Sequence, residues 1–248
     1  LALGYILLVP SNRKFGIHLF TGITNFTYVK NLFSVSWPII LDKATMACAY
    51  IWLCKMFCTM GKCATASFCV VKDMERFAIL PAIAGAQVIT FLVSNDLGKQ
   101  NFENIKSNIK KMVFVCSILV FSALIIFSLY PMAIISFFDK KGGFSDFAVR
   151  AFPLISVLAF FDVLQLVLAG ALRGSGNVRI VMMVRILVCL LFFVPVSYMA
   201  SQLTVEDPVI RFVLVYGSFY VGNGIMSLMY IRHFRSEKWK QPSVKGGI

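Results

Sequence analysis

Ala151-Phe-Pro-Leu-Ile-Ser-Val-Leu-Ala-Phe-Phe-Asp162-Val-Leu-Gln165-Leu-Val-Leu-Ala-Gly-Ala-Leu172 holds one ionisable residue, Asp162, in 22 positions. As a helix at 1.5 Å rise per residue, such a stretch covers the ~30 Å hydrocarbon core of a bilayer. It lacks the dyad alternation and the ~10-residue length of an outer-membrane barrel strand. Backbone polar groups in lipid must be satisfied within their own segment, so the stretch is expected to be a transmembrane helix. Five more blocks of this kind follow from the same reading: Trp37–Met60, Phe77–Ser94, Met112–Phe138, Ile180–Leu203 and Phe212–Ile231. The expected fold class is therefore all-α, a polytopic membrane helix bundle with one six-helix lobe over 37–231.

Composition agrees. The chain is 59% hydrophobic and only 14% charged, against roughly 25% charged in soluble domains. Its net charge of +13 would suggest nucleic acid in a soluble protein. Here the basic residues lie in short connectors between apolar blocks, without a basic-aromatic groove or a zinc pattern. They are read as topological charge that attracts anionic lipid headgroups, not nucleic acid. The seven cysteines form no CxxC pair, and His18 and His233 are isolated. They are read as small apolar thiols of a packed bundle, with no disulfide or metal role.

Loop charge orients the bundle. Arg13, Lys14 and Lys30 precede the first block; Lys99, Lys106, Lys110 and Lys111 follow the second; Arg173 and Arg179 follow the fourth. Arg232, Arg235, Lys238, Lys240 and Lys245 close the chain. The other side holds Lys62, Lys72, Arg76, Lys140, Lys141, Arg150 and Arg211. The positive-inside rule places the 11–36 connector and the 232–248 tail in the cytoplasm, and an even number of spans agrees. Leu1–Pro10 is apolar but too short to span, and no basic region precedes it. It reads as the end of a truncated transmembrane helix, which makes the chain a fragment.

Three local features need a structure. Phe102, Ile105, Ile109 and Met112 recur at helical spacing after Asn101, a candidate N-cap. This pattern predicts a short amphipathic helix on the cytoplasmic membrane surface. The second span either starts near Phe77, or is one long helix from about Ala64. In the second case Lys72–Glu75 and Asp73–Arg76 could pair at i,i+3, and Glu75 would dip towards a central cavity. Pro131 and Pro195 fall inside their spans, where each removes a backbone donor and can kink the helix.

No enzyme constellation is present: there is no GxSxG and no HExxH, and Gly170-Ala-Leu-Arg-Gly-Ser-Gly176 lacks the GK[ST] end of a P-loop. Polar residues deep in the apolar blocks are the functional candidates instead. Lys43, Lys55 and Arg185 sit near span ends, where long basic side chains snorkel to the interface. Asp42 lies about five residues into its span. Asp162 is at the middle of its own, on a side chain too short to snorkel, with Gln165 one turn on. A carboxyl there must be protonated, paired or hydrated, so it could take up a proton or a sodium ion as access changes.

Two stretches carry a resemblance. Pro81-Ala-Ile-Ala-Gly-Ala-Gln87, continuing to Phe91-Leu-Val-Ser-Asn-Asp-Leu-Gly98, resembles a motif of multidrug and toxic compound extrusion (MATE) transporters. Leu168-Ala-Gly-Ala-Leu-Arg173-Gly174-Ser-Gly176-Asn-Val-Arg179 resembles their SGxLRGxGxxR signature, and Phe234-Arg-Ser-Glu-Lys-Trp239 is similar to their basic-Trp close. The resemblance covers nearly the whole chain, as helices seven to twelve plus the end of helix six. It implies a two-lobe transporter, whose N-terminal six-helix lobe is missing here. Such a protein exports drugs or organic cations, cationic or amphipathic small molecules, in exchange for H⁺ or Na⁺, and no other cofactor is implied. It further implies an integral plasma membrane location, the inner membrane in a bacterium.

Family members carry an acid in the tenth helix, which falls on Asp162, and Glu75 matches an acidic position before the proline motif. Some relatives have an acid in helix seven where this chain has Met46, with Asp42 one turn earlier. The expected ion-coupling or substrate-binding set is thus Asp162, Gln165, Glu75, Gln87 and Asp42, with Na⁺ at Asp162 as one option. Pro81, Gly98, Arg173, Gly174 and Gly176 are read as structural motif positions, the glycines allowing a tight turn at the cytoplasmic face. The alternatives are a lipid-linked flippase of the same superfamily, which favours a cavity with several cations, and a non-transporting truncated membrane protein.

Overall fold

Among the described residues, six helices of at least 25 residues account for the apolar blocks. The structure is a computed structural model that describes residues 26–138, 143–203, 205 and 207–240. The helices are α1 (Phe26–Met60), α2 (Lys62–Gly98), α3 (Phe102–Leu129), the short α4 (Pro131–Phe138), α5 (Ser145–Gly174), α6 (Val178–Gln202) and α7 (Pro208–Arg235). A 3₁₀ turn, Lys238–Lys240, follows. The truncated helix expected over 1–10, the connector up to residue 25 and the tail beyond residue 240 lie outside the described residues. The chain divides into two units, 1–34 and 35–248. In the first, the described part is the opening turns of α1 from Phe26, so the expected 11–36 connector is helical over its last residues.

Five helices, α2, α3, α5, α6 and α7, are long and apolar enough to cross a membrane. Five such helices in one chain make it a multi-pass membrane protein. Helix α1 has the length, but Asp42, Lys43 and Lys55 interrupt its apolar run.

The second span is the long helix of the two alternatives, beginning at Lys62. The i,i+3 pairs weighed for it are absent from the ion pairs among the described residues. Lys72 instead places its ammonium 4.1 Å from the centre of the Tyr50 ring, a cation–π contact that lets a charge sit in mid-helix. Glu75 turns into the core and is 3% exposed.

Asn101 caps α3 as expected, its side chain accepting the Asn104 N–H at 3.3 Å. The separate surface helix, however, does not form. The helix runs unbroken from Phe102 into the third span because Ile105 and Ile109 bury themselves in the bundle rather than in the headgroup layer. That span ends early, at Leu129, and Pro131 opens α4, where its missing N–H leaves no bond unmade. In α6 the expected disturbance at Pro195 takes the form of a π turn over Cys189–Phe193, with the Val194 N–H reaching back to the Cys189 carbonyl.

At the centre, α5 packs most extensively against α2 and α7. Lipid tails are as apolar as leucine, so close backbone approach and hydrogen bonds must drive this contact. Gly170 and Gly174 of α5 supply the approach. A side chain added at either would run into the backbone of α2, at the carbonyl oxygens of Ala86 and Thr90 respectively. Thr90 Oγ1 crosses the gap and donates to the Gly170 carbonyl at 2.9 Å.

The motif glycines therefore divide their work. Gly176, at φ 77°, makes the turn to α6, whereas Gly174 is a packing residue, contrary to the turn-only reading. Gly98 closes α2 in open space, and Pro81 lies within that helix. Gly170→Leu is expected to separate α2 from α5. Overpacking costs about 1–3 kcal/mol in typical cores, and here the obstacle is backbone. The check is the SDS fraction at which helicity is lost; an unchanged midpoint would mean the two helices part freely.

Candidate functional site

Tyr216, Tyr220 and Asn223 stand at i, i+4 and i+7 on α7, and so share one face. Helix α7 is the least apolar of the five spans and also the most buried. Its polar face turns inward to meet two carboxyls. The Tyr216 hydroxyl donates to Glu75 Oε2 at 2.5 Å, and the buried Tyr220 ring lies 5.4 Å from that of Tyr216. Asn223 Nδ2 donates to Asp162 Oδ1 at 3.0 Å. One face of α7 thus meets both acids, Glu75 from α2 and Asp162 from α5.

Aromatic rings wall the Glu75 side. Phe57 lies 4.6 Å from both Phe68 and Phe212, centroid to centroid, and Phe68 lies 5.4 Å from Tyr216. Neither Glu75 nor Asp162 belongs to an ion pair among the described residues. Three oxygens here also lack a hydrogen bond of ordinary geometry: Glu75 Oε1, Asn223 Oδ1 and Gln165 Oε1. Gln165 is wholly buried one turn after Asp162, beside Tyr230. Hard oxygen ligands without a protein partner suit a proton, a hard monovalent cation or a buried water, any of which completes a buried carboxylate.

A second cluster pairs one carboxylate with two guanidiniums. Asp42, 1% exposed, accepts the Arg173 Nη2 donor at 2.6 Å on Oδ2, and the Arg185 Nε donor on Oδ1. Arg185 also donates to Met46 Sδ at 2.8 Å. This corrects the snorkelling expected of Arg185, which is 3% exposed. The triad ties α1 to the end of α5 and to α6, so Arg173 leaves its turn to hold another helix. Lys43 and Lys55 remain exposed, as expected of interfacial cations.

Of the five residues expected to act together, Glu75 and Asp162 each bond to the same face of α7, and Gln165 is buried one turn after Asp162. Asp42 sits in the separate arginine cluster, and Gln87 is exposed on α2, about 18 Å along the axis beyond Glu75. Sequence reading missed Tyr216, Tyr220 and Asn223. The available signal was a span poor in hydropathy whose Tyr, Asn and Ser recur at helical spacing. Among the described residues no three His, Cys, Asp or Glu side chains gather as a metal site.

The MatE family model matches residues 38–199. The chain is similar to the probable multidrug resistance protein NorM of Thermotoga maritima, at 22% identity over 148 residues, 60% of this chain and 32% of that protein. The fold is similar to the crystal structure of MATE in complex with MaL6, with TM-score 0.82 and 16% identity over 95% of this chain and 52% of that one. The crystal structure of MATE in the bent conformation gives TM-score 0.80 and 16% identity over 95% of this chain and 51% of that one. The chain thus spans about half the length of those structures and a third of the curated relative. With the family pattern running from within α1 to the end of α6, and the same arrangement of helices through α7, the chain belongs to the MatE family.

Proposed function

We propose that this chain forms one lobe of a secondary antiporter that exports cationic or amphipathic small molecules in exchange for H⁺ or Na⁺, with Glu75 and Asp162 as the coupling carboxyls. The observation that carries the reading is the pair of buried acids that stand outside the ion pairs among the described residues, joined through Tyr216 and Asn223 to a single face of α7. A carboxyl so placed exchanges its proton or cation only when water reaches it, which makes its occupancy sensitive to the opening of a cavity. The similarity to a probable multidrug resistance protein favours drug-like substrates over ions alone. A lipid-linked flippase would want unpaired cations in the site, whereas Arg185 is bound to Asp42.

In this reading substrate passes between this lobe and a second one, through a plasma membrane, with the α7 C-terminus in the cytoplasm as loop charge directs. The test is efflux of a cationic dye from vesicles under a pH or sodium gradient. Vesicles with this chain alone should match empty ones, and vesicles with the chain joined to a six-helix first lobe should show gradient-driven efflux. Efflux that persists without a gradient would sink the coupling. In a Cys-free background, labelling of Ser236→Cys from outside intact cells would sink the orientation.

A further inference from the structure

A groove of about 650 Å³ runs between α3, α5 and α7 on a side of the lobe away from the carboxyl cluster. Lys106, Lys110 and Arg235 ring one end, and below them the walls are apolar, with Leu164 and Ile231 on two sides and Ser117 and Phe160 at depth. From Lys106 to Ser117 is eleven residues of one helix, or about 16 Å, close to half of a ~30 Å hydrocarbon core. The groove therefore has the depth of one leaflet, with its charge at the headgroup level.

It opens beside α3, the least buried of the five spans, whose outer face carries exposed Phe114, Ile118 and Leu119, as a lipid-facing helix does. None of the three cations is in an ion pair among the described residues. Of the acids nearby, Glu103 is exposed one turn before Lys106. The charge of Lys106 reaches Glu237, but that carboxylate is bridged to Lys240 at 3.0 Å.

We infer that this groove is a specific site for an anionic phospholipid of the same leaflet. Lys106, Lys110 and Arg235 hold its phosphate, and one acyl chain lies between α3, α5 and α7. Charge complementarity selects the headgroup, and the leaflet-deep apolar walls select a lipid over a soluble phosphate. Such a lipid would bridge the start of α3 to the end of α7, and so brace the helix that carries Tyr216 and Asn223.

The purified chain in neutral detergent is offered equimolar phosphatidylglycerol and phosphatidylcholine with identical acyl chains, and the bound lipids are counted by native mass spectrometry. Phosphatidylglycerol should be retained in preference. The variant Lys106→Gln/Lys110→Gln/Arg235→Gln should lose that preference by about fivefold for each basic residue. The control Lys99→Gln/Arg179→Gln/Lys245→Gln removes as many charges elsewhere on the same side and should stay within about twofold of the parent. Leu164→Trp or, independently, Ser117→Leu fills the groove and should lower retention with every charge intact, and circular dichroism confirms that each variant is folded. Equal losses in the two charge variants would reduce the effect to diffuse surface attraction and overturn the site. Displacement of the lipid by excess glycerol phosphate, or unchanged retention in both filled variants, would overturn the acyl-chain part and with it the proposal.

Discussion

Asp42→Ala should destabilise the lobe by about 3–5 kcal/mol, the range found when one partner of a buried ion pair is removed. The reason is less the lost attraction than what stays behind. Arg185 is 3% exposed and would keep a full charge among apolar side chains, with Met46 Sδ as its remaining acceptor. Arg173 is better placed, its side chain being 20% exposed, and can swing to water. The double variant Asp42→Leu/Arg185→Met removes the stranded charge and should recover most of the loss, since well-packed apolar groups often replace a buried pair at little cost. The measurement is SDS or thermal unfolding of the chain in mild detergent, read as a double-mutant cycle. Loss below about 1 kcal/mol for Asp42→Ala would mean that Arg185 reaches water without its partner, and the triad would then be no anchor.

That cluster shows where sequence reading ended. Six apolar blocks were legible because lipid imposes length and composition on each span separately. The Asn101 cap was legible because a cap is local. Arg185 was misread because its partner stands 143 positions away, and nothing in either helix alone distinguishes a snorkelling arginine from a paired one. The start of α2 stayed open for a similar reason. Lys72 in mid-helix looks like an interface until the Tyr50 ring is placed beside it.

Residues of the candidate site divide the same way. Asp162 announced itself as a lone acid in 22 residues, since a charge in mid-membrane needs a reason. Tyr216, Tyr220 and Asn223 did not, because hydroxyls and amides are tolerated in a span and gain meaning only from what they face. Gly174 looked like a turn residue beside Gly176, and its contact with Thr90 depends on how α2 crosses α5.

The largest functional effect is expected at Asp162. Asp162→Asn keeps the size of the side chain and its acceptor oxygen, so the hydrogen bond from Asn223 Nδ2 can persist. It removes the one property that the proposal requires, a group that gains and loses a proton or holds a cation. In the chain joined to a first lobe, Asp162→Asn should insert and fold normally yet bring gradient-driven efflux down to the level of empty vesicles. Glu75→Gln should act in the same direction, because the Tyr216 hydroxyl can still donate to the amide oxygen while the charge is gone. Substrate binding should be kept by both, and equilibrium binding of the dye without a gradient separates coupling from recognition. The structural alternative, a carboxyl that merely satisfies Asn223, predicts something else: near-normal transport in Asp162→Asn and lowered stability in Asp162→Leu. Wild-type rates in Asp162→Asn, with the parent's dependence on pH and sodium, would remove Asp162 from the mechanism and leave Glu75 as the sole coupling candidate of the lobe.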